Sequence, residues 1–200
     1  QCYFDSPETY ASFKKLIEDK EYNFSRYNFF LVNYLLYKNK NKEAEKIIKL
    51  SRKKHDSNLL IKQTENFILT EKIEKIKDFF NCKNPNDVIA EIFYIIANLY
   101  STEEDYQLSN FYLKISLFLN SKFTPNKILL AENFYYQKKY EPSKEIYISL
   151  KSIGSVYSWY AARNITTILS NTTDNEFSPS SLEKDFNLLD SPNFQHYYEL

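Results

Sequence analysis

Glycine is almost absent from this chain, which has one glycine (Gly154) and no methionine among its 200 residues. Barrels, β-sandwiches and nucleotide-binding folds need glycine at tight turns and in phosphate-binding loops. A glycine-rich loop that could cradle a phosphate is therefore excluded, and with it the usual nucleotide cofactors. Helices need few glycines, so the shortage favours an all-α fold.

Cysteine and histidine are also scarce. Cys2 and Cys82 are too few and too widely spaced to predict a disulfide framework or a zinc site, and we expect Cys82 to be a buried thiol. His55 and His196 are far apart in the sequence, and neither has a second ligand at metal-binding spacing. His55 ends a basic run, where a cation complements the dipole of a helix C-terminus. We expect no metal site and no cofactor.

A catalytic constellation is missing too. No motif supplies a nucleophile with a positioned base. The carboxylates of residues 103–105 fall at a turn, where Asp105 is expected to cap the following helix. Lysines of segment 38–54 alternate with glutamates, which is typical of a solvated helix face, with a phosphate-binding stripe as the alternative. We therefore expect a protein that is not an enzyme and has no small-molecule substrate.

Net charge is zero, because 26 acidic residues balance 26 basic ones. Sequence-independent nucleic-acid binders usually carry a basic excess, so nucleic acid is not favoured as a partner. No run of about 18 apolar residues exists, which predicts no membrane-spanning segment. The compartment stays open between cytoplasm and periplasm. Since the first residue is not methionine and the last residues resemble the start of another helix, we interpret the chain as part of a longer protein.

A repeat is the clearest positive signal in the sequence. Segment 90–121 aligns with segment 124–155, and the matched residues are all 34 positions apart: Ala97 with Ala131, Tyr100 with Phe134, Tyr106 with Tyr140, Ser109 with Ser143, and Leu113 with Tyr147. In each unit a small residue and an aromatic residue share one helix face, and a second helix repeats the small–large arrangement. Small residues allow close helix approach, so the pattern predicts antiparallel helix pairs that stack on one another.

This spacing resembles the tetratricopeptide repeat family. The first-helix positions of the family fall on Phe93, Ile96, Ala97 and Tyr100, and the second-helix positions fall on Ser109, Leu113 and Ser116. The resemblance implies an α-solenoid, a right-handed superhelix of antiparallel helix pairs. It also implies a single array over residues 1–200, with weaker units at 24–55, 58–88 and 156–190 and a partial unit from 193. All six prolines fall in expected turns or first helical turns.

The resemblance also implies a partner-binding groove lined by first-helix residues. Carried over position by position, the candidates are Phe29, Asn33, Tyr37, Tyr94, Asn98, Ser101, Glu132, Tyr135 and Tyr136. Asparagine amides can bridge a peptide backbone, and tyrosines supply rigid contact area. Phe29 and Tyr94 stand where chaperone-binding members carry lysine, so binding of a carboxylate tail is not predicted. Each candidate has an alternative role as ordinary surface or inter-repeat packing.

Three functions are compatible with these residues. The leading hypothesis is a scaffold that binds a peptide or helix of a partner protein in the groove. The second is a structural spacer or assembly module of a longer, envelope-associated bacterial protein. The third, an RNA-binding helical repeat, has units of similar length but is disfavoured by the neutral charge. Trp159 and Tyr160 are accordingly expected to pack between repeats rather than stack on a base.

Overall fold

The computed structural model describes residues 1–19, 24–172, 179–187 and 189, and across these ranges it contains eleven α-helices and no strand. The prediction of an all-α fold is confirmed. In chain order the helices are α1 Thr9–Glu18, α2 Ser25–Tyr37, α3 Asn41–Lys54, α4 Leu59–Leu69, α5 Ile73–Phe79, α6 Pro85–Thr102, α7 Tyr106–Leu119, α8 Thr124–Tyr136, α9 Tyr140–Leu150, α10 Ser155–Asn171 and α11 Pro179–Asn187.

The helix starts follow local sequence signals. Pro85 and Pro179 occupy the first position of a helix, and Pro125 and Pro142 lie in a first turn, where the missing N–H costs nothing. Asp105 accepts the N–H of Leu108 at 3.1 Å, as the sequence predicts for a cap. Asn58 caps α4 in the same way. Pro192 lies outside the described residues, as does the partial unit expected from residue 193.

Successive helices pack in pairs, with α2 on α3, α4 on α5, and α10 on both α9 and α11. The turns from α2 to α3, α4 to α5, α6 to α7 and α8 to α9 share one geometry. The central residue of each adopts a left-handed conformation, at Asn39 (φ 58°), Glu71 (φ 58°), Glu104 (φ 61°) and Lys138 (φ 58°). The next residue donates its N–H five positions back: Lys40 to Leu35, Lys72 to Phe67, Asp105 to Tyr100 and Lys139 to Phe134. This is the helix-ending arrangement in which glycine is the usual central residue.

The low glycine content therefore does not mean that left-handed turns are absent. Gly154, the sole glycine, has φ 175°, an extended conformation open to any residue. The left-handed turn positions carry asparagine, glutamate and lysine instead, of which asparagine is the best tolerated. Thr70 ends α4 and donates its hydroxyl to the carbonyl of Asn66, and α5 begins at Ile73.

The small residues of the 34-residue pattern are buried and bonded identically in two helix pairs. Ser109 donates its hydroxyl to the Ala97 carbonyl at 2.8 Å, and Ser143 does the same to Ala131 at 2.8 Å. All four residues are fully buried. A side-chain bond of this kind needs two helix backbones in close approach, which only small residues at the crossing allow. The predicted close approach of paired helices is thus confirmed.

The chain divides into two compact units. Unit 1 comprises Gln1–Phe93 and Ile115–Thr124. Its core contains a phenylalanine cluster in which the ring centre of Phe123 lies about 6 Å from those of Phe29, Phe30 and Phe80. Helix α1 packs on α2, where the rings of Phe13 and Tyr34 are 6.2 Å apart. Aromatic side chains from several segments thus meet in one cluster.

Unit 1 also contains a disulfide between Cys2 and Cys82, whose Cα atoms are 5.8 Å apart. The expectation of a buried Cys82 thiol on a helix is wrong. Helix α5 ends at Phe79, so Cys82 lies in the turn before α6, where Cys2 reaches it. No motif indicates this pairing, since two cysteines separated by 80 positions match no known disulfide spacing.

Unit 2 comprises Tyr94–Lys114 and the chain from Pro125. Its interior is partly polar. The amide of Asn133 donates to the Ser109 hydroxyl at 2.7 Å and to Asn110 at 2.9 Å, and it accepts from Ser101 at 2.7 Å. Asn133 is fully buried, so these three bonds satisfy its amide and connect helices α6, α7 and α8.

The C-terminal part of unit 2 packs through an aromatic pair. Trp159 on α10 is buried, and its ring lies 5.7 Å from the ring of Phe186 on α11. Ala162 and Leu182 complete this small core. The sequence predicts that Trp159 packs between repeats, whereas this contact joins α10 and α11, which both lie within the weaker unit 156–190.

Candidate partner-binding surface

Two of the groove candidates in unit 1 are buried and cannot form a surface. Phe29 is 0% exposed and packs on Phe30 and Phe123. Asn33 is 2% exposed and donates its amide to the Ile76 carbonyl at 3.1 Å, which links α2 to α5. The assignment of both residues to a groove is therefore corrected. The sequence pattern identified their helix face, but it did not show that other segments cover that face.

Tyr37, the third candidate of unit 1, is 39% exposed. Its hydroxyl donates to the Lys77 carbonyl at 2.9 Å, and the Lys77 ammonium lies 5.9 Å from its ring centre. Burial, followed by the charges of Asp87, Asp78 and Glu74, raises the pKa of Tyr37. The side chain is thus largely engaged within unit 1.

The candidates of unit 2 retain access to solvent. On α6, Tyr94, Asn98 and Ser101 are half-buried. The hydroxyl of Ser101 bonds Asn133 at 2.7 Å, which fixes the position of α6 relative to α8. Ile95 and Leu99, each adjacent in sequence to a candidate, are exposed and share a helix face four residues apart. Amide, aromatic and aliphatic groups are thus available on one helix.

On α8, the three candidates Glu132, Tyr135 and Tyr136 are linked to neighbouring helices. Tyr136 is 63% exposed, and its ring stacks on Tyr106 with centroids 5.7 Å apart. The Tyr135 hydroxyl accepts the amide of Asn171 on α10 at 3.1 Å. Glu132 is half-buried. Side chains from α6, α7, α8 and α10 therefore contribute to this surface, which we name the unit-2 face.

Tyr160 extends the unit-2 face beyond the residues predicted from sequence, and Tyr147, which is 1% exposed, packs against it from the interior of unit 2. The Tyr160 hydroxyl donates to Glu132 Oε1 at 2.5 Å. The rings of Tyr147 and Tyr160 are 5.9 Å apart in an edge-to-face arrangement. Sequence reasoning assigned Tyr160 to packing, which this ring contact bears out, but its bond to a carboxylate 28 positions away has no sequence signature.

The electrostatics of this cluster are set by burial. Burial raises the pKa of Glu132, and the hydrogen bond from Tyr160 opposes that rise. Burial and then the Glu132 charge raise the pKa of both Tyr147 and Tyr160, so both phenols stay protonated at neutral pH. The cluster therefore presents two phenols and one desolvated carboxylate.

Two cavities accompany these surfaces. One, of about 330 Å³, lies in unit 1 beside the disulfide and is lined mainly by apolar side chains such as Phe13, Phe30 and Phe80. It offers few groups that could orient a ligand. The other, of about 340 Å³, lies in unit 2 and is lined by Glu104, Asp105, Tyr106, Gln107, Gln137 and Lys139. Because Tyr106 stacks on Tyr136, this polar cavity adjoins the unit-2 face.

No group of three or more histidine, cysteine or carboxylate side chains is placed to hold a metal ion among the described residues. Within that same part of the chain, no helix has both the length and the apolarity required to cross a bilayer. His55 ends α3 as expected, but burial and the nearby Lys54 lower its pKa, so Arg52, Lys53 and Lys54 supply the positive charge there.

Comparison of the chain with protein-family models, curated proteins and solved structures gives no match.

Proposed function

We propose that the chain is a tetratricopeptide-like helical-repeat scaffold that binds a peptide or helix of a partner protein on the unit-2 face. The observation that carries the proposal is the recurrence of one helix–turn–helix geometry. Four turns share a left-handed residue and the same backbone bond, and the Ser109–Ala97 bond recurs 34 residues later as Ser143–Ala131. Helical arrays with such units form extended surfaces suited to binding other chains.

The chemistry of the unit-2 face supports a protein ligand. Tyrosine is among the residues most enriched at binding hot spots, because it combines large contact area with a polar tip. Tyr94, Tyr135 and Tyr136 are accessible there, and the half-buried Asn98 supplies a side-chain amide. A side-chain amide can bond a peptide backbone through both its donor and its acceptor. Exposed Ile95 and Leu99 add apolar area on the same helix.

Isothermal titration calorimetry tests this proposal. A partner would first be captured by a photo-crosslinking residue placed at Tyr94, and its binding fragment would then be titrated into purified protein. The double variant Tyr94→Ala, Asn98→Ala is expected to weaken binding at least about tenfold, since a hot-spot side chain is worth about 2 kcal/mol or more. Glu145→Ala, an exposed change on α9 of the same unit, is the control. Unchanged affinity in a folded double variant would refute the assignment.

The disulfide favours a second candidate function, a spacer or assembly module in an envelope-associated protein. Disulfides persist in oxidising compartments and are rare in reducing cytosol. Cys2 and Cys82 are bonded, and the described chain has no free cysteine. Mass spectrometry of the protein purified from its native source, with free thiols blocked before lysis, tests this. A bonded pair supports an exported module, and alkylated cysteines would contradict it.

A further inference from the structure

The apolar cavity of unit 1 lies among segments that are distant in the sequence. Its volume is about 330 Å³, and its walls come from the N-terminal turn, α1, α2 and the chain that leads from the end of α5 into α6. Three phenylalanine rings line it, Phe13, Phe30 and Phe80, together with the aliphatic side chains of Leu16 and Val88. Aromatic and aliphatic groups thus form most of its wall.

The disulfide completes one side of this cavity. Cys2 and Cys82 both line it, and their bond joins the N-terminal turn to the turn before α6. Asp5 of the N-terminal turn adds ion pairs with Lys38 at 3.0 Å and with Lys83 at 3.5 Å. Exposed ion pairs contribute little, so the covalent bond is the main attachment. The wall is therefore preformed, and a ligand does not have to order it on binding.

Charge is absent from the side chains that line the cavity. Among the described lining residues, none is acidic, basic or a histidine. Thr9, which is 1% exposed, donates its hydroxyl to the Ser6 carbonyl at 2.8 Å, so this polar group is already satisfied. An ion that entered would lose its hydration without gaining a partner of opposite charge. The cavity therefore favours an uncharged, apolar ligand.

The lining side chains keep surface that a ligand can reach. Phe13, Leu16, Phe30 and Val88 are half-buried, and only Phe80, at 7% exposure, is buried among these five. A molecule in the cavity would cover the apolar surface that these side chains leave in contact with water. Removal of that surface from water favours binding.

The volume of the cavity indicates the size of the ligand. An apolar cavity of about 150 Å³ holds one benzene ring, and the cavity of unit 1 is about twice as large. A single ring, such as an inserted side chain of a partner protein, would leave much of it unfilled and would forgo dispersion contacts with the remaining walls. Two fused rings match the volume better.

The aromatic lining indicates the chemistry of the ligand. The rings of Phe30 and Phe80 are 4.7 Å apart and inclined by 49°. Aromatic pairs in tilted or offset arrangements are favourable beyond the area that they bury, so a planar aromatic ligand gains from these rings. A fused ring system also has no internal rotation to lose on binding, whereas an alkyl chain of similar size has several.

We propose that the apolar cavity of unit 1 is a binding site for an uncharged small molecule of two fused aromatic rings. The molecule is held as a ligand and is not transformed, since the described lining has no carboxylate or histidine to move a proton. This inference goes beyond the scaffold function and does not depend on it, because the cavity lies in unit 1 and the proposed partner surface lies in unit 2.

Nuclear magnetic resonance of protein with ¹³C-labelled leucine and valine methyl groups tests the site, because Leu16 and Val88 line it. The probes are 2-naphthol, phenol, which has one ring, 1-octanol, which has none, and 2-naphthoate, which adds a charge. 2-Naphthol is expected to shift the Leu16 and Val88 signals saturably. Phenol and 1-octanol should bind several-fold more weakly, and 2-naphthoate at least about tenfold more weakly.

Each probe has an outcome that would overturn the proposal. Absence of a saturable shift with 2-naphthol would show that the cavity is not a binding site. Equal affinity for 2-naphthoate would place the probes on the surface rather than in an uncharged cavity. Equal affinity for phenol would indicate a single inserted ring, and equal affinity for 1-octanol would indicate a chain, so either result would contradict the two-ring ligand.

A matched pair of variants locates the bound probe. Ser12 lines the cavity, and Ala11 is exposed on the same helix. Ser12→Phe adds a ring where the ligand would lie and is expected to weaken 2-naphthol binding at least about tenfold, because the space is no longer free. Ala11→Phe adds the same ring at an exposed position and should leave the affinity unaltered. Retained binding in Ser12→Phe would contradict the site, and the probe comparison on the parent protein decides even if that variant folds poorly.

Discussion

Side chains at equivalent positions of the repeat are buried in unit 1 and partly exposed in unit 2. In unit 1, Phe29 and Asn33 are buried, the first among phenylalanine rings and the second against the end of α5. In unit 2, Tyr94 and Asn98 occupy the corresponding positions and stay half-exposed. The same pattern of small and large residues thus specifies the helix pairing in both units. Whether a helix face becomes core or surface depends on the other segments that cover it.

The two units are also stabilised differently. Unit 1 combines an aromatic cluster with a covalent link between Cys2 and Cys82. Unit 2, in the part that the structure describes, depends on buried hydrogen bonds centred on Asn133. A binding surface needs exposed polar and aromatic groups. Such groups fit unit 2, whose interior is hydrogen-bonded, better than unit 1, whose aromatic rings form its core. Four measurements test this comparison.

Removal of the disulfide should have the largest effect. In the chain-entropy account, a link across 80 residues stabilises a protein by about 4 kcal/mol, because it restricts the unfolded chain. The variant Cys2→Ser, Cys82→Ser should lose about that much free energy of unfolding in urea, and reductant should destabilise the parent equally. Reductant should leave the double variant unaffected, which is the internal control. Equal stability of parent and variant would show that the link is not what secures unit 1.

Asn133→Ala should cost about 2–3 kcal/mol, since it removes the three hydrogen bonds that a fully buried amide makes with Ser101, Ser109 and Asn110. A buried amide of unit 1, Asn33, donates one hydrogen bond, to the Ile76 carbonyl, so Asn33→Ala should cost less. Urea unfolding of both variants gives the comparison. A smaller loss for Asn133→Ala than for Asn33→Ala would contradict the view that unit 2 depends more on buried hydrogen bonds.

Replacement of the left-handed turn residues by glycine should stabilise the chain. Glu104→Gly and Lys138→Gly should each gain up to about 1 kcal/mol, because glycine adopts a positive φ without the steric cost that other residues incur. Glu145→Gly, on the exposed face of α9, should lose about 1 kcal/mol. The difference in thermal midpoint between these variants is the measurement. Loss of stability at both turn positions would mean that the turns are not left-handed.

The smallest expected effect is the pH dependence of Glu132. Burial raises its pKa above the ordinary 4.5, with the Tyr160 hydrogen bond acting in the opposite sense. A carboxyl with a raised folded-state pKa contributes its stability below the unfolded pKa and loses it as pH rises through the folded one. Glu132→Gln should therefore gain stability relative to the parent as pH rises from 4.5 towards neutrality. A difference that stays constant with pH would contradict the raised pKa.

Much of the fold follows from the sequence, whereas the site follows only in part. The 34-residue spacing predicts the close approach of Ser109 to Ala97 and of Ser143 to Ala131, because small residues at this spacing allow two helices to pack closely. It also indicated the accessible candidates of unit 2. It could not show that Phe123 covers Phe29, since that contact joins distant segments. The disulfide was missed for the same reason, and so was the bond from Tyr160 to Glu132.

The backbone φ angles of Asn39, Glu71, Glu104 and Lys138 test the central claim most directly, because one recurrent helix–turn–helix geometry underlies the proposed fold and function. They can be obtained from backbone chemical shifts and three-bond couplings of isotope-labelled protein in solution. The account predicts a positive φ near 60° at all four residues, flanked by helical values on the preceding side. Negative φ angles at Glu104 and Lys138 would contradict the repeat where the sequence supports it best.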